Sequence, residues 1–269
     1  MPIDVPARVL ANRRLSDDYN VLTLDAAAIA ASAQPGQFVM VKAASGVDPL
    51  LRRPFSVFEI LRDGSGTASA ITILSKRIGP STRRLYDAEP GGTIACLGPL
   101  GRPFTLVQPP SEAWMVAGGV GLAPFATLGE ALVSRRVKTT LFYGARRGAE
   151  LFYLDMFAAL GVELVLTTED GSLGERGRVV APLDRRLAAA ASSSLMLYAC
   201  GPEAMLAATA RIAARHGRAC QVSVERIMGC GLGGCYSCVI PMRGEDGDYH
   251  NVRSCLAGPV LMAERVQWD

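Results

Sequence analysis

The chain has 269 residues, of which 49% are hydrophobic and 20% are charged, and its formal net charge is +3. This length allows one to three domains, and so small a charge gives no indication of a nucleic-acid partner. No apolar run approaches the roughly 18–20 residues that a membrane-spanning helix needs. We therefore expect a globular protein without a membrane span.

Two features of the sequence indicate its compartment. The first ten residues contain acid and proline in place of a basic segment followed by an apolar one, so we expect no secretory signal. The chain has seven cysteines, and this odd number disfavours a complete set of disulfides. Free thiols are typical of a reducing environment, which predicts a cytoplasmic protein.

Up to about Leu100 the pattern is one of short strands separated by turn residues. Six strands are predicted: Ala7–Asn12, Val21–Asp25, Phe38–Lys42, Phe55–Leu61, Ala68–Ser75 and Thr93–Leu97. Asp63–Gly66 is a hairpin turn sequence, and Ser81–Asp87 is predicted to form a short helix. Strands at this spacing favour a small antiparallel β-barrel.

Two segments of the predicted barrel carry groups that suit a phosphate. In the segment from Arg53 to Ser56, the arginine offers a guanidinium fork, Pro54 fixes the backbone and the serine offers a hydroxyl. Gly79-Pro80-Ser81-Thr82 begins a helix, where free N–H groups and the helix dipole favour a pyrophosphate. The first segment is equally compatible with a surface edge strand, and the second with an ordinary N-cap.

From Ala113 onwards strands and helices alternate. The predicted strands are Trp114–Ala117, Val137–Phe142, Glu163–Thr167 and Leu195–Ala199, and the predicted helices are Leu122–Ser134, Ala149–Leu160, Val180–Ala191 and Glu203–His216. Alternation of this kind predicts a parallel sheet with helices on both faces. Ligands of such sheets bind at the carboxyl ends of the strands.

Three segments follow predicted strand ends in this region. Gly118-Gly119-Val120-Gly121 opens a helix and could receive a pyrophosphate, although it is not a complete dinucleotide fingerprint. Cys200-Gly201-Pro202 could border a nicotinamide, or it could be a plain strand-to-helix turn with proline at the first helical position. Arg146-Arg147 could meet a ribose phosphate or belong to a solvated loop, which leaves NADH and NADPH both open.

A cysteine motif dominates the C-terminal part of the chain. Cys230, Cys235 and Cys238 have the spacing C-x4-C-x2-C, and Cys255 follows. This is the ligand pattern of a plant-type [2Fe-2S] cluster, and glycines between the cysteines permit a tightly curled loop. A zinc site usually has two C-x2-C pairs, whereas only one is present, and a Rieske centre needs two histidine ligands near the loop. Zinc or structural thiols remain the alternative to [2Fe-2S].

Together these segments resemble the ferredoxin–NADP reductase superfamily. The barrel segment Arg53–Ser56, the glycine run Gly118–Gly121 and Cys200-Gly201-Pro202 carry this likeness. The run from Val224 to Gly231 and the sequence that begins at Cys255 resemble more closely the PyrK-type electron-transfer subunit of dihydroorotate dehydrogenase.

The resemblance implies a fold and a division into domains. It implies an antiparallel β-barrel for FAD at residues 1–104, a doubly wound parallel α/β domain for NAD(P) at 105–219 and a small [2Fe-2S] domain at 220–269. The candidate flavin residues are Arg53, Pro54, Phe55, Ser56, Leu74, Ser75, Lys76, Ser81 and Thr82. Ser81 stands where the family often has glycine.

The remaining site residues follow from the same likeness. The candidate NAD(H) residues are Gly118, Gly119, Val120, Gly121, Cys200, Gly201 and Pro202, with Cys200 as the candidate catalytic residue. The four cluster cysteines match the family pattern fully.

The implied activity is an electron relay. Hydride passes from NADH to FAD, and single electrons then pass between FAD and the cluster. A partner subunit that carries FMN oxidises dihydroorotate to orotate in pyrimidine biosynthesis, so we expect a hetero-oligomer, such as a heterotetramer, and no pyrimidine site on this chain. We expect no general acid or base here, because the flavin carries the chemistry.

Three alternative functions remain open at this point. One is a subunit for NAD(P)H:ferredoxin, sulfite or hydrogenase electron transfer, although some such relatives replace a cluster cysteine with aspartate. Another is a stand-alone reductase for an oxygenase, which usually has a longer gap before the last cysteine. The third is a redox sensor that retains the cofactors.

Overall fold

The computed structural model describes residues 1–43, 46, 48–190 and 194–268. It contains two seven-stranded sheets and one two-stranded hairpin. The first sheet is antiparallel, the second is almost entirely parallel, and the hairpin belongs to the C-terminal part of the chain. No helix in the described ranges has the length and apolar character needed to cross a membrane.

The antiparallel sheet has the strand order β4-β3-β7-β1-β2-β6-β5. Its strands are β1 (Ile3–Arg14), β2 (Tyr19–Asp25), β3 (Phe38–Lys42), β4 (Arg53–Ser56), β5 (Ile60–Arg62), β6 (Ala68–Lys76) and β7 (Thr93–Leu100). Helix α1 (Ala27–Ala30) and helix α2 (Pro80–Tyr86) accompany them. Alternating buried apolar positions, such as Val39 and Ile73, fill the interior of this barrel.

The predicted strand Phe55–Leu61 is two strands. Between β4 and β5 the chain changes partner: Val57 N–H donates to Gln37 O at 3.0 Å, and Phe58 N–H donates to Thr72 O at 2.9 Å. Val57 and Phe58 are both buried, so this apolar segment has the composition of a strand interior. It nevertheless closes the barrel, because it joins the β3 side of the sheet to the β6 side.

Two asparagines hold the C-terminal end of α2. The Asn12 amide donates to Tyr86 O at 2.9 Å and to Ala88 O at 2.8 Å, while the Asn20 amide donates to Asn12 Oδ1 at 2.8 Å. The last carbonyls of a helix lack intrahelical partners, and side-chain donors of this kind satisfy them. The C-terminal end of α2 is thereby fixed relative to β1 and β2.

The second sheet has the order β11-β10-β9-β8-β12-β13-β16. Its strands are β8 (Glu112–Gly118), β9 (Thr139–Ala145), β10 (Glu163–Thr168), β11 (Glu175–Arg176), β12 (Leu195–Cys200), β13 (Ala219–Ser223) and β16 (Val260–Met262). Its helices are α3 (Phe125–Ser134), α4 (Leu154–Ala159), α5 (Val180–Ala189) and α6 (Glu203–Arg215). All its pairings are parallel except β13 with β16. The predicted fold class, a barrel followed by a doubly wound parallel sheet, is confirmed.

Helices in this domain are shorter than predicted. A 3-10 turn, Gly119–Leu122, precedes α3, and another 3-10 turn, Gly148–Glu150, precedes α4. Before α4, Tyr153 adopts a left-handed conformation with φ of 60°, which ends any continuous helix there. The predicted helix Val180–Ala191 ends at Ala189, and its last predicted residue lies outside the described residues.

The C-terminal part contains the hairpin strands β14 (Val239–Arg243) and β15 (Tyr249–Arg253), the helix α7 (Ser254–Ala257) and β16. The sequence prediction had no strand at β13, although this strand pairs with β12 along its whole length. The predicted boundary 219/220 therefore falls inside the parallel sheet. We propose to move it to the end of β13, at residue 223.

Candidate functional site

The candidate flavin segment lies on an accessible strand of the barrel. In the register of β3 with β4, Met40 is opposite Pro54 and Phe38 is opposite Ser56. The Arg53 side chain is exposed, and within the described residues its Nη1 donates to the backbone carbonyls of Leu51 (3.2 Å) and Arg52 (3.0 Å). A guanidinium offers a planar fork of donors that suits a phosphate.

The neighbouring arginine has a different role. Arg52 donates to both carboxylate oxygens of Asp4, at 2.9 and 2.7 Å. This bidentate pair joins the beginning of β4 to β1, because Asp4 lies on β1. Arg52 thus holds the strand, whereas Arg53 forms no ion pair within the described residues.

A second group of candidate flavin residues lies across the barrel on β6 and α2, and β4 contacts β6. The hydroxyls of Ser75 and Ser81 are buried and have no hydrogen-bond partner among the described residues. A buried polar group without a partner is costly, so a ligand that supplies one fits this place. Leu74 is buried beside Ser75, and Lys76 is half-buried.

Thr82 is placed differently from its neighbours. Its hydroxyl accepts from the N–H groups of Ile78 and Gly79, both at 2.9 Å, and donates to Gly79 O at 3.1 Å. The hydroxyl is thus used inside the turn, and it shapes the backbone in front of α2. Ile78 is 76% exposed in this turn, and the sequence analysis did not single it out. Its apolar side chain in an otherwise polar run was the signal that could have identified it.

The glycine run after β8 meets the end of β12. A Cβ at Gly118 would lie 2.8 Å from Met205 Sδ, and one at Gly121 would clash with the carbonyl oxygen of Cys200. Gly121 is therefore needed for the close approach of the two strand ends, and Gly118 lies against the beginning of α6. Gly119 has φ of +54° and faces open space, so its N–H and that of Val120 are the ones that a dinucleotide could approach.

The Cys200 thiol lies at the carboxyl end of β12, beside Ala117 of β8 and Ser223 of β13. Burial, together with the nearby Glu225 carboxylate, raises the pKa of Cys200 to about 12 against the opposing effect of a hydrogen bond with Ser223. The thiol is therefore neutral at physiological pH. Pro202 is the N-cap of α6 and not its first helical residue.

A cavity of about 230 Å³ adjoins this strand end. Gly201, Glu225 and Trp268 line it, together with the ion pair in which Arg226 donates to both oxygens of Glu203 at 2.8 Å. Sequence reasoning missed Trp268, because its position next to Gly201 depends on long-range packing. The cavity connects the candidate nicotinamide residues with the beginning of the cysteine domain.

The four predicted cluster cysteines are brought to one place as two pairs. Cys238 and Cys255 are each 2% exposed, Cys230 is half-buried and Cys235 is exposed. Burial raises the pKa of Cys255, and its neighbours Cys238 and Cys230 raise it further. A hydrogen bond from the Ser237 hydroxyl, at 3.1 Å, lowers the pKa of Cys235.

Within the described residues, no three His, Cys, Asp or Glu side chains converge tightly enough to hold a single metal ion. The donor set still fits a [2Fe-2S] cluster, which needs four thiolates from a curled loop and one later residue. Leu232 N–H donates to Cys230 Sγ at 3.4 Å, and amides directed at sulfur are typical of such sites.

The cysteine loop packs on the barrel. Phe38, Met40 and Leu100 form one buried cluster with Cys238 and Cys255. Because Met40 pairs with Pro54 across β3 and β4, the inner thiols lie one strand away from the candidate flavin segment. The structure thus brings the predicted flavin and cluster residues together.

The fold and these sites define a ferredoxin–NADP reductase-like protein with an added iron–sulfur domain. Residues 225–267 match the family model "Iron-sulfur cluster binding domain of dihydroorotate dehydrogenase B", and residues 115–211 match "Oxidoreductase NAD-binding domain". A solved structure of an NADH-dependent reduced ferredoxin–NADP oxidoreductase is 26% identical, with a TM-score of 0.84 over 98% of this chain and 91% of that chain.

Curated relatives give the particular family. The dihydroorotate dehydrogenase B (NAD(+)) electron transfer subunit of Desulforamulus reducens is 35% identical over 98% of both chains. The subunit of the same name from Bacillus caldolyticus is 38% identical over 96% of both. The chain belongs to the dihydroorotate dehydrogenase B electron transfer subunit family, and the resemblance stated from the sequence is confirmed.

Two glycines of the cysteine loop give a direct test of its packing. Gly231 has φ of +72°, and a Cβ there would lie 2.5 Å from Met40 Cγ, whereas a Cβ at Gly234 would meet nothing within 4 Å. We expect Gly231→Ala to lower the free energy of unfolding by about 1–3 kcal/mol and to lose iron, because both backbone and packing are strained. Gly234→Ala is the matched control and should keep both. Equal iron content and equal thermal stability of the two variants would contradict the packing described here.

Proposed function

We propose that this chain is the electron-transfer subunit of an NAD-linked dihydroorotate dehydrogenase. It carries electrons between NAD(H), FAD and a [2Fe-2S] cluster for an FMN-containing catalytic subunit in pyrimidine biosynthesis, and it acts in the cytoplasm. The observation that carries the proposal is the full-length match to relatives of that name, at 35% and 38% identity, with all four cysteines in place.

In this proposal the barrel holds FAD. Arg53 pairs with the pyrophosphate, Pro54, Phe55 and Ser56 border the flavin, and the unpartnered Ser75 and Ser81 hydroxyls supply polar contacts on the opposite side. Leu74 and Lys76 flank the ring system, and Thr82 shapes the turn. When bound, the flavin supplies the exchange between two-electron and one-electron chemistry.

NAD(H) lies at the carboxyl ends of β8 and β12. The amides at Gly119 and Val120 meet its pyrophosphate, while Gly118, Gly121, Gly201 and Pro202 let the two strand ends approach closely. Cys200 acts as a neutral thiol that aligns the nicotinamide. It donates or accepts no proton in the reaction.

Cys230, Cys235, Cys238 and Cys255 hold the cluster. The buried pair faces the barrel, whereas Cys230 is half-buried and Cys235 is exposed at the protein surface, where a partner can approach. The apolar side chains of Ile227 (85% exposed), Leu232 (54%) and Tyr236 (61%) surround this end of the loop. Exposed apolar residues of this kind are costly on a free chain and suit the core of an interface.

A second candidate function is supported by one observation. The NADH-dependent reduced ferredoxin–NADP oxidoreductase structure matches nearly the whole chain with a TM-score of 0.84, although at only 26% identity. Under this alternative the acceptor would be a ferredoxin or a second nucleotide-binding subunit. Because this identity is lower than the 35% and 38% of the dihydroorotate dehydrogenase relatives, we rank this function second.

Reconstitution separates the two functions. The purified chain should contain about two irons and two acid-labile sulfides, and it should oxidise NADH with artificial acceptors without turning over dihydroorotate. Addition of a flavin-containing catalytic subunit should give NAD-linked oxidation of dihydroorotate. Zinc without labile sulfide, orotate formation by the lone chain, or activity only with ferredoxin would each refute the proposal.

We expect Arg53→Ala to weaken FAD binding about ten- to a hundredfold, because a charge-assisted contact contributes roughly 1.5–3 kcal/mol. The fold should survive, since Arg52 and Asp4 hold the strand independently. Fluorescence titration of FAD against the apoprotein measures the change. Arg62→Ala, an exposed arginine on β5, is the control, and equal FAD affinity in the two variants would reject the Arg53 assignment.

Cys200→Ala should slow reduction of the bound flavin by NADH about tenfold and leave nicotinamide affinity nearly unchanged, because the thiol aligns the ring. The folded pKa is raised to about 12, so the thiol stays protonated, and the wild-type rate should show no step assignable to it between about pH 7 and 10. Stopped-flow absorbance measures both. Cys220→Ala, which removes a buried thiol on β13 whose pKa is also raised, should react like the wild type, and a wild-type rate for Cys200→Ala would make Cys200 purely structural.

Leu232→Glu should abolish co-elution with the catalytic subunit while the visible cluster spectrum stays intact, because the side chain is exposed and the hydrogen bond to Cys230 comes from the backbone N–H, which the substitution keeps. Leu10→Glu, on an exposed position of β1, should leave the complex intact. Size-exclusion chromatography and the spectrum are read together. Bleaching of the cluster would instead make Leu232 a cover over the sulfurs, and an intact complex would exclude this rim from the interface.

A further inference from the structure

Arg253 connects the two separate chain segments that supply the cysteines. It is the last residue of β15 and lies two positions before Cys255. Its Nη1 donates to Gly233 O at 2.9 Å, inside the cysteine loop. Its guanidinium also stacks on the Tyr236 ring, with 4.7 Å between Cζ and the ring centroid.

Backbone contacts and these side-chain contacts together hold the cysteine loop from two sides. On the backbone side, Arg253 is the ladder partner of Val239, and Ser254 N–H donates to Cys238 O at 3.0 Å. On the side-chain side, the guanidinium reaches over the loop to Gly233 and Tyr236. The part of the loop that contains Cys230 and Cys235 is thereby tied to the segment that contains Cys255.

The stacked tyrosine itself has an unusual conformation. Tyr236 has φ of 57°, in the left-handed region that non-glycine residues rarely adopt. Such a conformation persists only where surrounding contacts determine it. The guanidinium on one face of the ring is such a contact, and lysine could not reproduce it, because only arginine is planar and stacks in this way.

The charge of Arg253 is not neutralised by a neighbouring acid. In the part of the chain that the structure describes, no carboxylate forms an ion pair with it, whereas Arg52 is paired with Asp4. Arg253 is also half-buried, so water and salt screen it less than a free surface arginine. Its positive charge lies at the cysteine loop, because the guanidinium donates to Gly233 O, between Cys230 and Cys235 in the chain.

We propose that Arg253 is the positioning residue of the cysteine site: it ties the Cys230–Cys238 loop to the Cys255 segment, and it places at this loop a cation that pairs with no carboxylate among the described residues. The inference rests on the proposed function, because it assumes that these thiolates hold a [2Fe-2S] cluster. Each electron that the site accepts adds one negative charge, and a nearby cation favours the more negative form. Arg253 thus raises the reduction potential and slows loss of iron.

The hairpin offers a matched control. Arg243 also stacks on a tyrosine, with 5.4 Å between its Cζ and the ring centroid of Tyr249, and it too lacks an ion-paired acid among the described residues. It lies at the other end of the same two-stranded sheet, opposite Tyr249, about four strand residues from the Val239–Arg253 pair. Arg243→Met therefore removes the same charge and the same kind of contact far from the thiolates.

The experiment compares Arg253→Met, Arg253→Lys and Arg243→Met in the FAD-loaded chain. Iron release to a chelator and the midpoint potential of the cluster, followed by its electron paramagnetic resonance signal, are measured. For Arg253→Met we expect iron release several times faster and an approximately tenfold less favourable one-electron reduction, a shift of about 59 mV to lower potential. Arg253→Lys should release iron faster but keep the potential, and Arg243→Met should keep both.

Each outcome decides the matter. If Arg253→Met is purified folded and with FAD but without cluster, while Arg243→Met is fully loaded, the tie between the two segments is supported. Equal iron release and equal potential in these two variants overturn the proposal, and a potential in Arg253→Lys as low as in Arg253→Met overturns the role of the charge. A wild-type chain without iron and sulfide would refute the proposed function itself, and it is measured first.

Discussion

The relative placement of the three candidate sites depends on one short segment, the Gly258–Met262 stretch that follows Cys255. On one side its strand β16 pairs with β13, and Val224 N–H donates to Pro259 O at 2.9 Å. On the other side Arg102 N–H donates to Gly258 O at 2.6 Å, and Pro259 fills the space above Gly101. Barrel and parallel sheet are thus both joined by backbone contacts to the chain that carries the last cysteine.

A second set of contacts joins the barrel to the parallel sheet directly. The Phe152 ring packs against Tyr19 with centroids 5.0 Å apart, and the Tyr153 ring meets Phe58 edge-on at 4.7 Å. Lys76 also lies over the Tyr19 ring, with its Nζ 5.0 Å from the ring centroid. A candidate flavin residue is thereby linked to the loop that follows β9, where the chain leaves the parallel sheet.

The loop before α4 also explains where sequence reasoning failed. An apolar segment from Leu151 to Tyr153 fits a helical pattern, and the prediction therefore started the helix at Ala149. The aromatic rings of this segment instead contact the barrel. The left-handed conformation of Tyr153 ends the segment before α4 begins. The local hydrophobic pattern cannot distinguish a helix from a segment that contacts the barrel, because the partner residues are about a hundred positions away in the chain.

The candidate site was predictable where its determinants are local. The cysteine spacing and the glycine turn after β8 are short motifs, so the sequence was enough to locate the cluster loop and the strand end at Cys200. Strands β13 and β16 were missed because their pairing depends on contacts between distant segments. Trp268 escaped notice for the same reason, because its place beside Gly201 depends on the fold, whereas Ile78 had a local signal, an apolar side chain in a polar run, that was not used.

The cysteines of the site lie in two different environments. Cys238 and Cys255 are buried against Phe38 and Met40, where low polarity penalises added charge and raises the pKa of Cys255. Cys235 lies at the surface, where the Ser237 hydroxyl stabilises its thiolate and lowers its pKa. A thiolate is therefore better tolerated at Cys235 than at Cys255. The difference follows from the fold, because the inner pair packs on the barrel strand β3 whereas Cys235 is exposed at the surface of the loop.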